Sequence, residues 1–239
     1  MLVATKAIVL SKIKYKDNDL IVKCYTEHFG VQSYLLRGIL KSKKGKLKTA
    51  YFQQLSQLQL TVVYKENRSL QTLKDVRPIN LYQSIHNSMA KSAIVMFLSE
   101  ILSSVLKEEE ANETLYAYLE TAFLWLDENN HTANFHLLFL LRLTRHLGFY
   151  PDMQNIDFEY FNLEAGVFQD QSTNRYCVSG EKLAQLKGLL GTNFDALDTT
   201  HFNSEKRQAF LQMLLQYYEL HLGSIKQPKS LLILNQVFS

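Results

Sequence analysis

The spacing of apolar residues along this chain changes once, at Arg77-Pro78. Upstream it has period two. Leu20, Val22 and Cys24 share one face of a run, and Val31, Leu35 and Ile39 follow at even spacing. Gln57–Val62 alternates cleanly, Lys12–Lys16 interleaves lysines with Ile13 and Tyr15, and Arg68–Val76 supplies a fifth segment. Such alternation predicts half-buried antiparallel strands. The interruptions at Lys16-Asp17-Asn18, His28-Phe29-Gly30, Ser42–Gly45 and Lys65-Glu66-Asn67 carry turn residues. Five short strands in succession are best closed into a barrel, which removes exposed edges, and the OB-fold is the economical arrangement.

Downstream the period is helical. Ile85, Met89, Ala93, Phe97, Ile101 and Val105 lie four apart, which predicts a buried helix that begins near Leu81. Asn112–Asp127 predicts a second, with Leu115, Leu119, Ala122 and Leu126 inward. Phe135–Leu147 is apolar on nearly every side and stops before Gly148 and Pro151, a normal helix stop. Residues 152–180 lose the period and suit short strands or loops. Helices resume near Glu181–Leu190 and Ser204–Leu222, and the Lys226–Ser239 tail is expected to dock back on the body. The expected fold class is α+β: an OB-fold barrel in residues 1–80, then a mostly α-helical domain in 81–239 with a small irregular or β insert at 152–180.

Charge follows the same division. Residues 1–80 hold 15 Lys and Arg against 5 Asp and Glu, whereas residues 81–239 hold 11 against 18. A whole-chain charge of +3 thus covers a front part at +10 and a remainder at −7. Segregation of this kind points to a polyanionic partner, nucleic acid first. The densest segment is Arg37–Lys48, RGILKSKKGKLK, with Arg37, Lys41, Lys43, Lys44, Lys46 and Lys48 and no acid. Flexible ammonium groups neutralise phosphates without reading bases; the alternative is a solvated hairpin tip. Lys12, Lys14, Lys16 and Arg68 could widen the patch. Tyr15, Tyr34, Tyr51 and Phe52 are stacking candidates, although each also suits a core or edge position.

Other chemistry is sparse. No Gly-rich phosphate loop, nucleophile elbow or HExxH occurs, and the seven histidines form no pair at metal spacing. An enzyme is not expected; a site within 152–180 is the remaining catalytic alternative. Cys24 and Cys177 fit no metal or redox spacing, and Cys24 reads as a buried strand residue. No signal peptide or membrane span is read, and a reducing cytoplasm is the expected compartment. Arg142 and Arg145, three apart in an apolar helix, call for internal carboxylate partners; the functional alternative is capture of an acidic peptide, with Lys226 and Lys229 as further candidates.

The order of these features resembles a known family. AIVLSKIKYKDNDLIVKCYTEHFG (Ala7–Gly30) is similar to the opening of bacterial RecO proteins, through the AIVL strand, the Tyr15-x-Asp17-x-Asp19 spacing and the Thr26–Gly30 turn. SYLLRGILKSKK (Ser33–Lys44) resembles that family's strand ending in Arg-Gly and a basic loop. LRLTRHLGFYPD (Leu141–Asp152) resembles its central helix, and LGSIKQPKSLLIL (Leu222–Leu234) its C-terminal segment.

The resemblance implies an N-terminal OB-fold, a C-terminal helical domain and a role in DNA repair and homologous recombination. It implies binding to single- and double-stranded DNA, annealing of complementary strands and, with RecR, help in loading RecA onto strands coated by single-stranded DNA-binding protein. It also implies contact with the acidic C-terminal tail of that coating protein and a nucleoid-associated cytoplasmic location. The alternative is an RNA-binding or protein-interaction module with no recombination role. Many members carry a four-cysteine zinc site after the Leu-Gly-x-x-Pro helix. Met153–Cys177 holds only one cysteine, so neither a metal nor another cofactor is expected. A strand-like subfold held by Phe158, Phe161, Leu163, Val167 and Phe168 is expected instead.

Overall fold

A computed structural model of the chain describes residues 1–41, 47–106, 110–199, 202–223 and 226–239. The period-two region forms five strands: β1 (Leu2–Tyr15), β2 (Asp19–Thr26), β3 (Gly30–Leu36), β4 (Gln57–Val63) and β5 (Gln71–Pro78). They close into a barrel in the order β1-β2-β3-β5-β4. All neighbours are antiparallel except β3 and β5, whose short parallel pairing at Tyr34–Gln71 and Leu35–Thr72 shuts the ring. This is the expected OB-fold barrel. Its interior holds Ala7, Val9, Leu20, Val22, Cys24, Tyr34, Leu36, Leu58, Leu60 and Val62, with Ile39 and Phe52 closing over them. Burial pushes the Cys24 thiol pKa far up, so Cys24 behaves as a small apolar residue.

β1 belongs to two pairs at once. Leu2–Ile8 pairs with β4 and Ala7–Tyr15 with β2. Between Val9 and Ser11 the register shifts by one residue, a β-bulge at Leu10. The backbone groups of Val9 face the β4 side, where the segment before β4 takes them. Leu55 N–H donates to the Val9 carbonyl at 2.7 Å, and Val9 N–H donates to the Ser56 carbonyl at 3.0 Å. Leu55 holds φ at 60° to do so, an uncommon conformation for a side-chain-bearing residue, and is itself fully buried. Ile8 and Leu10 are as buried as Ala7 and Val9. The barrel interior covers Ala7 and Val9, and α1 (Met89–Val105) packs against β1.

The first compact unit comprises Met1–Glu128 and Pro228–Ser230. Within it α1 and α2 (Glu113–Glu128) are fastened to the barrel by polar contacts around an apolar core. Lys6 Nζ meets the Glu120 carboxylate at 3.2 Å, Gln57 Nε2 donates to the Glu120 carbonyl, and Lys23 Nζ donates to the Ser103 carbonyl. The Tyr25 hydroxyl donates to the Asn112 carbonyl, and its ring stacks on Tyr116. Residues 79–88 do not start a helix. Ser84 Oγ and the Gln83, Ser84 and Ile85 N–H groups are claimed by Asp127, and Ser88 caps α1 by accepting from Lys91 N–H. The helix therefore begins at Met89, eight residues after the expected start at Leu81, and Met89 is exposed. Buried Lys91 donates to Ser84 Oγ and to the Asp127 carbonyl at 2.7 Å. Burial lowers the Lys91 pKa, and Asp127 opposes the drop.

The second unit comprises Asn129–Gln227 and Leu231–Ser239. Its centre is α3 (Phe135–His146), buried at every position from Phe135 to Leu141. A three-stranded sheet follows, in the order β7 (Val167–Gln169), β6 (Tyr160–Asn162), β8 (Cys177–Val178). Phe161, Leu163 and Phe168 are buried beneath it, Val167 is half-buried, and Phe158 is exposed and takes no part. Gly166 lies at φ 71°, and a Cβ there would press on the Tyr217 hydroxyl at 3.0 Å, so a side chain at the β6–β7 turn would be strained. Then come α4 (Gly180–Leu189), a 3₁₀ turn at Phe194–Thr199, α5 (Ser204–Leu222) and α6 (Leu231–Val237). Phe149 is held by Tyr217, Tyr218 and His221, and the Tyr217 hydroxyl donates to the Phe149 carbonyl. The Arg207 guanidinium ties the tail by donating to the Phe238 carbonyl.

Two local expectations change. On β3 the inward residues are Gln32, Tyr34 and Leu36, and Val31 and Leu35 face outward. Pairing decides this: Cys24, Val22 and Leu20, which face the core, lie opposite Gln32, Tyr34 and Leu36. On β1 the Lys12–Tyr15 stretch is exposed throughout, including Ile13 at 59%. The bulge has exchanged the faces, so Lys12 and Lys14 stand opposite inward-facing Val22 and Leu20, where the hairpin is free of β4.

The Asp127 carboxylate supports the whole 83–91 segment. Burial alone would raise its pKa, but the Gln83, Ser84 and Ile85 N–H donors and the Ser84 hydroxyl outweigh that and hold it below its ordinary 3.8. Asp127→Asn is expected to cost on the order of 2–3 kcal/mol in chemical denaturation. A group whose native pKa is depressed contributes fully above its unfolded value and loses that contribution as pH falls through the native one. The wild-type advantage should therefore be constant between about pH 5 and 8 and shrink below 3.8. An unchanged denaturation midpoint would remove Asp127 from this role.

Candidate nucleic-acid interface

The β1–β2 turn and the segment after β3 are bonded together. Asp19 Oδ1 accepts from Gly38 N–H at 2.7 Å, and the Asn18 carbonyl accepts from Leu40 N–H at 3.1 Å. Gly38 enters this turn at φ 65°, a conformation that favours glycine. The two bonds bring Lys16 in the hairpin turn, Lys14 just before it, and Arg37 and Lys41 of the following segment to one end of the barrel. All four are exposed. Lys12 is exposed on the same hairpin arm, and Lys48 is exposed at the start of the 3₁₀ turn Thr49–Phe52, with Nζ 5.9 Å from the Tyr51 ring centroid. Lys43, Lys44 and Lys46 lie outside the described residues.

Several other cations of the first unit are engaged, although exposed Lys65, Arg68 and Lys74 also make no ion pair among the described residues. Lys6 holds Glu120, Lys23 holds a carbonyl of α1, Arg77 pairs with Asp75 at 3.5 Å, and Lys91 is buried with its partners. Among the described residues, no ion pair involves Lys12, Lys14, Lys16, Arg37, Lys41 or Lys48. Cations left without carboxylates at one end of a barrel produce a local positive field that water and salt screen only in part.

Arg68 is placed elsewhere. It lies in the β4–β5 turn, which Gln71 closes through Lys65 and the Arg68 carbonyl. Tyr64, where this turn begins, stacks on Phe29 at 4.4 Å, and Phe29 immediately precedes β3. Arg37 follows the far end of that strand, roughly 20 Å away for seven extended residues. The fold thus does not bring Arg68 into the Arg37 cluster. Of the aromatic candidates, Tyr34 and Phe52 are core residues. Tyr15 is 38% exposed with Lys16 Nζ 5.4 Å from its ring, and Tyr51 is half-buried. Reasoning from sequence missed the apolar surface among the lysines, namely Ile13 and Leu40. The readable signal was an alternating run placed directly before a turn.

In the second unit the expected carboxylate partners of Arg142 and Arg145 are replaced by rings. The half-buried Arg142 guanidinium lies 5.4 Å from Phe194, and exposed Arg145 lies 4.3 Å from Tyr150. Among the described residues neither makes an ion pair. A guanidinium can be accommodated over an aromatic face because its weak hydration makes stacking inexpensive. Lys226 and Lys229 are exposed, and Lys229 N–H donates to the Glu100 carboxylate within the first unit.

No arrangement for metal chemistry is present: among the described residues, no group of three His, Cys, Asp or Glu could hold a metal ion. Cys177 instead joins a polar network, accepting from Gln169 Nε2 at 3.2 Å, while Asn162 Oδ1 accepts from Glu164 and Ala165 N–H. One thiol among amides does not fit a zinc site. Among the described residues no helix is long and apolar enough to cross a membrane.

Comparison with known proteins agrees with the order of these parts. Residues 1–82 match the family model described as "Recombination protein O N terminal", and residues 86–231 match "Recombination protein O C terminal". A DNA repair protein RecO of Christiangramia forsetii is 49% identical over 238 residues, covering all of both chains. Proteins of the same name from Flavobacterium johnsoniae and Bacteroides fragilis are 43% and 35% identical, again over the full length of both chains. With a five-stranded barrel, a helical remainder and two family models that together span nearly all of it, the chain belongs to the RecO family of recombination proteins.

Proposed function

We propose that this protein is a non-enzymatic mediator of DNA repair and homologous recombination that binds single- and double-stranded DNA and anneals complementary strands. The observation that carries this reading is the group of unpaired cations at one end of the barrel, against paired cations where the barrel meets α1 and α2. Phosphates of two strands held near Lys12, Lys14, Lys16, Arg37, Lys41 and Lys48 repel each other less, which lowers the barrier to pairing. Lys43, Lys44 and Lys46 add to the same function. Ile13, Tyr15 and Leu40, exposed among the lysines, give unpaired bases an apolar surface. With RecR, the protein assists RecA loading onto strands coated by single-stranded DNA-binding protein, in the cytoplasm and at the nucleoid. Arg145 and Arg142 engage the acidic tail of that coating protein, Lys226 and Lys229 being separate candidates for it; a stacked guanidinium keeps its N–H edge for carboxylates.

Three measurements test this. Replacing Lys12, Lys14, Lys41 and Lys48 with Ala should weaken single-stranded DNA binding by about tenfold or more. The log–log salt slope should become shallower by about 3, at roughly 0.7 for each phosphate that no lysine neutralises any longer. Unchanged affinity in a folded variant would overturn the assignment, and preference for structured RNA without strand annealing would replace it with the RNA-binding reading. Asp19→Ala should speed amide exchange at Gly38 and Leu40 and slow annealing, with little loss of global stability; unaltered exchange would mean the tie does not order the segment. Titration of an acidic peptide with an aromatic end should show affinity reduced severalfold by Arg145→Ala and by Arg142→Ala. Equal affinities would exclude both residues.

A further inference from the structure

Between the segment leading into β4 and the segment leaving β5 lies a groove with a cavity volume of about 110 Å³, several times what one water needs. Its walls include Tyr51, Gln57, Asn80, Tyr82 and His86. Tyr82 is fixed by its hydroxyl, which donates to the Leu55 carbonyl at 3.1 Å, and its ring meets His86 edge-on at 5.7 Å. Gln57 is fixed too: Nε2 donates to the Glu120 carbonyl and Oε1 accepts from Asn80 Nδ2 at 2.6 Å. Asn80 retains its carbonyl oxygen and a second N–H. His86 Nε2 is buried and has no hydrogen-bond partner. Burial keeps the imidazole below its ordinary 6.5, Asp127 pulls the other way, and Lys12 adds to the drop. The ring is therefore neutral at physiological pH, and Nε2 can donate or accept.

We propose that this groove receives one unstacked base of a single DNA strand, resting on the DNA-binding reading above and adding a site to it. A base offers what these walls lack: a flat π-face for the tyrosine rings and an edge with both donors and acceptors for Asn80 and His86. A phosphate does not suit the site, because the walls carry neutral amides, hydroxyls and an imidazole, and a desolvated anion would meet no opposite charge there. A cation stands next to the lining instead: Lys48 Nζ lies over the Tyr51 ring at 5.9 Å, and Lys12 acts on His86 through its charge. Phosphates on either side of an inserted base would be met by these two lysines. The occupant's size follows from the volume, which suits a single heterocycle and is well below the roughly 300 Å³ of a drug-sized pocket.

The test compares two strands of equal length and phosphate count, oligo(dT) and the same oligomer with abasic sites, by fluorescence anisotropy with the full chain. The wild type is expected to bind oligo(dT) about tenfold more tightly, and Tyr51→Ala and His86→Ala should each reduce that preference severalfold while leaving the salt slope unchanged. A second measurement needs no variant: photo-crosslinking of 5-iodouracil-substituted strands should attach to Tyr51, Tyr82 or His86. Salt-dependent binding that is equal for the two strands, with no crosslink at these residues, would overturn the groove and leave the DNA-binding reading in place. Failure to bind either strand would overturn both.

Discussion

The bulge at Leu10 sets the arrangement on which the rest of the first unit depends. One extra residue in β1 lets both Val9 and Leu10 be buried and turns the strand's faces over beyond that point. Beside it, the Val9 backbone holds Leu55 and Ser56, which fixes the chain before β4, and Tyr82 in turn binds the Leu55 carbonyl. The register at one backbone position thus decides which face Lys12 and Lys14 take and lets Leu10 be buried next to Val9. A straight β1 would keep Ile13 and Tyr15 on the inward face and its lysines on the other.

The cations divide by partner, and the division has a structural reason. Lys6 and Lys23 lie on β1 and β2 where α1 and α2 cover the barrel, so each must find an oxygen. Beyond the bulge the hairpin is exposed, and among the described residues its lysines make no ion pair. Counting basic residues does not separate these two sets; the pairing of strands and the path of the helices do.

Much of the architecture was legible in the residues. The alternation in Gln57–Val62 and the helical spacing in Asn112–Asp127 and Phe135–Leu147 found their elements within a residue or two, because each pattern reflects burial on one face or all faces. Where tertiary partners choose, the pattern fell short. Val31 and Leu35 are as apolar as Tyr34 and Leu36, and only pairing with β2 selects the inner set. Ile85 and Met89 continue the spacing of α1, yet the Asp127 carboxylate captures the backbone of 83–85 and delays the helix. At the candidate interface Arg37 and Lys41 were readable from composition. Their closeness to Lys16 was not, since it rests on Asp19 and Asn18, and Arg68 was separated from them by the length of β3. Arg142 and Arg145 turned to aromatic rings that lie five or more residues on in sequence and that charge counting ignores.

The division of the tail bears on how the protein is made. Pro228–Ser230 belongs to the first unit, where Lys229 N–H meets Glu100, while Leu231–Ser239 belongs to the second, where Arg207 holds the Phe238 carbonyl. During synthesis from the N-terminus, the barrel and its two helices emerge early but acquire their last piece only after residue 230 has left the ribosome. The first unit therefore spends most of translation with Glu100 lacking its partner amide, and its completion coincides with that of the second.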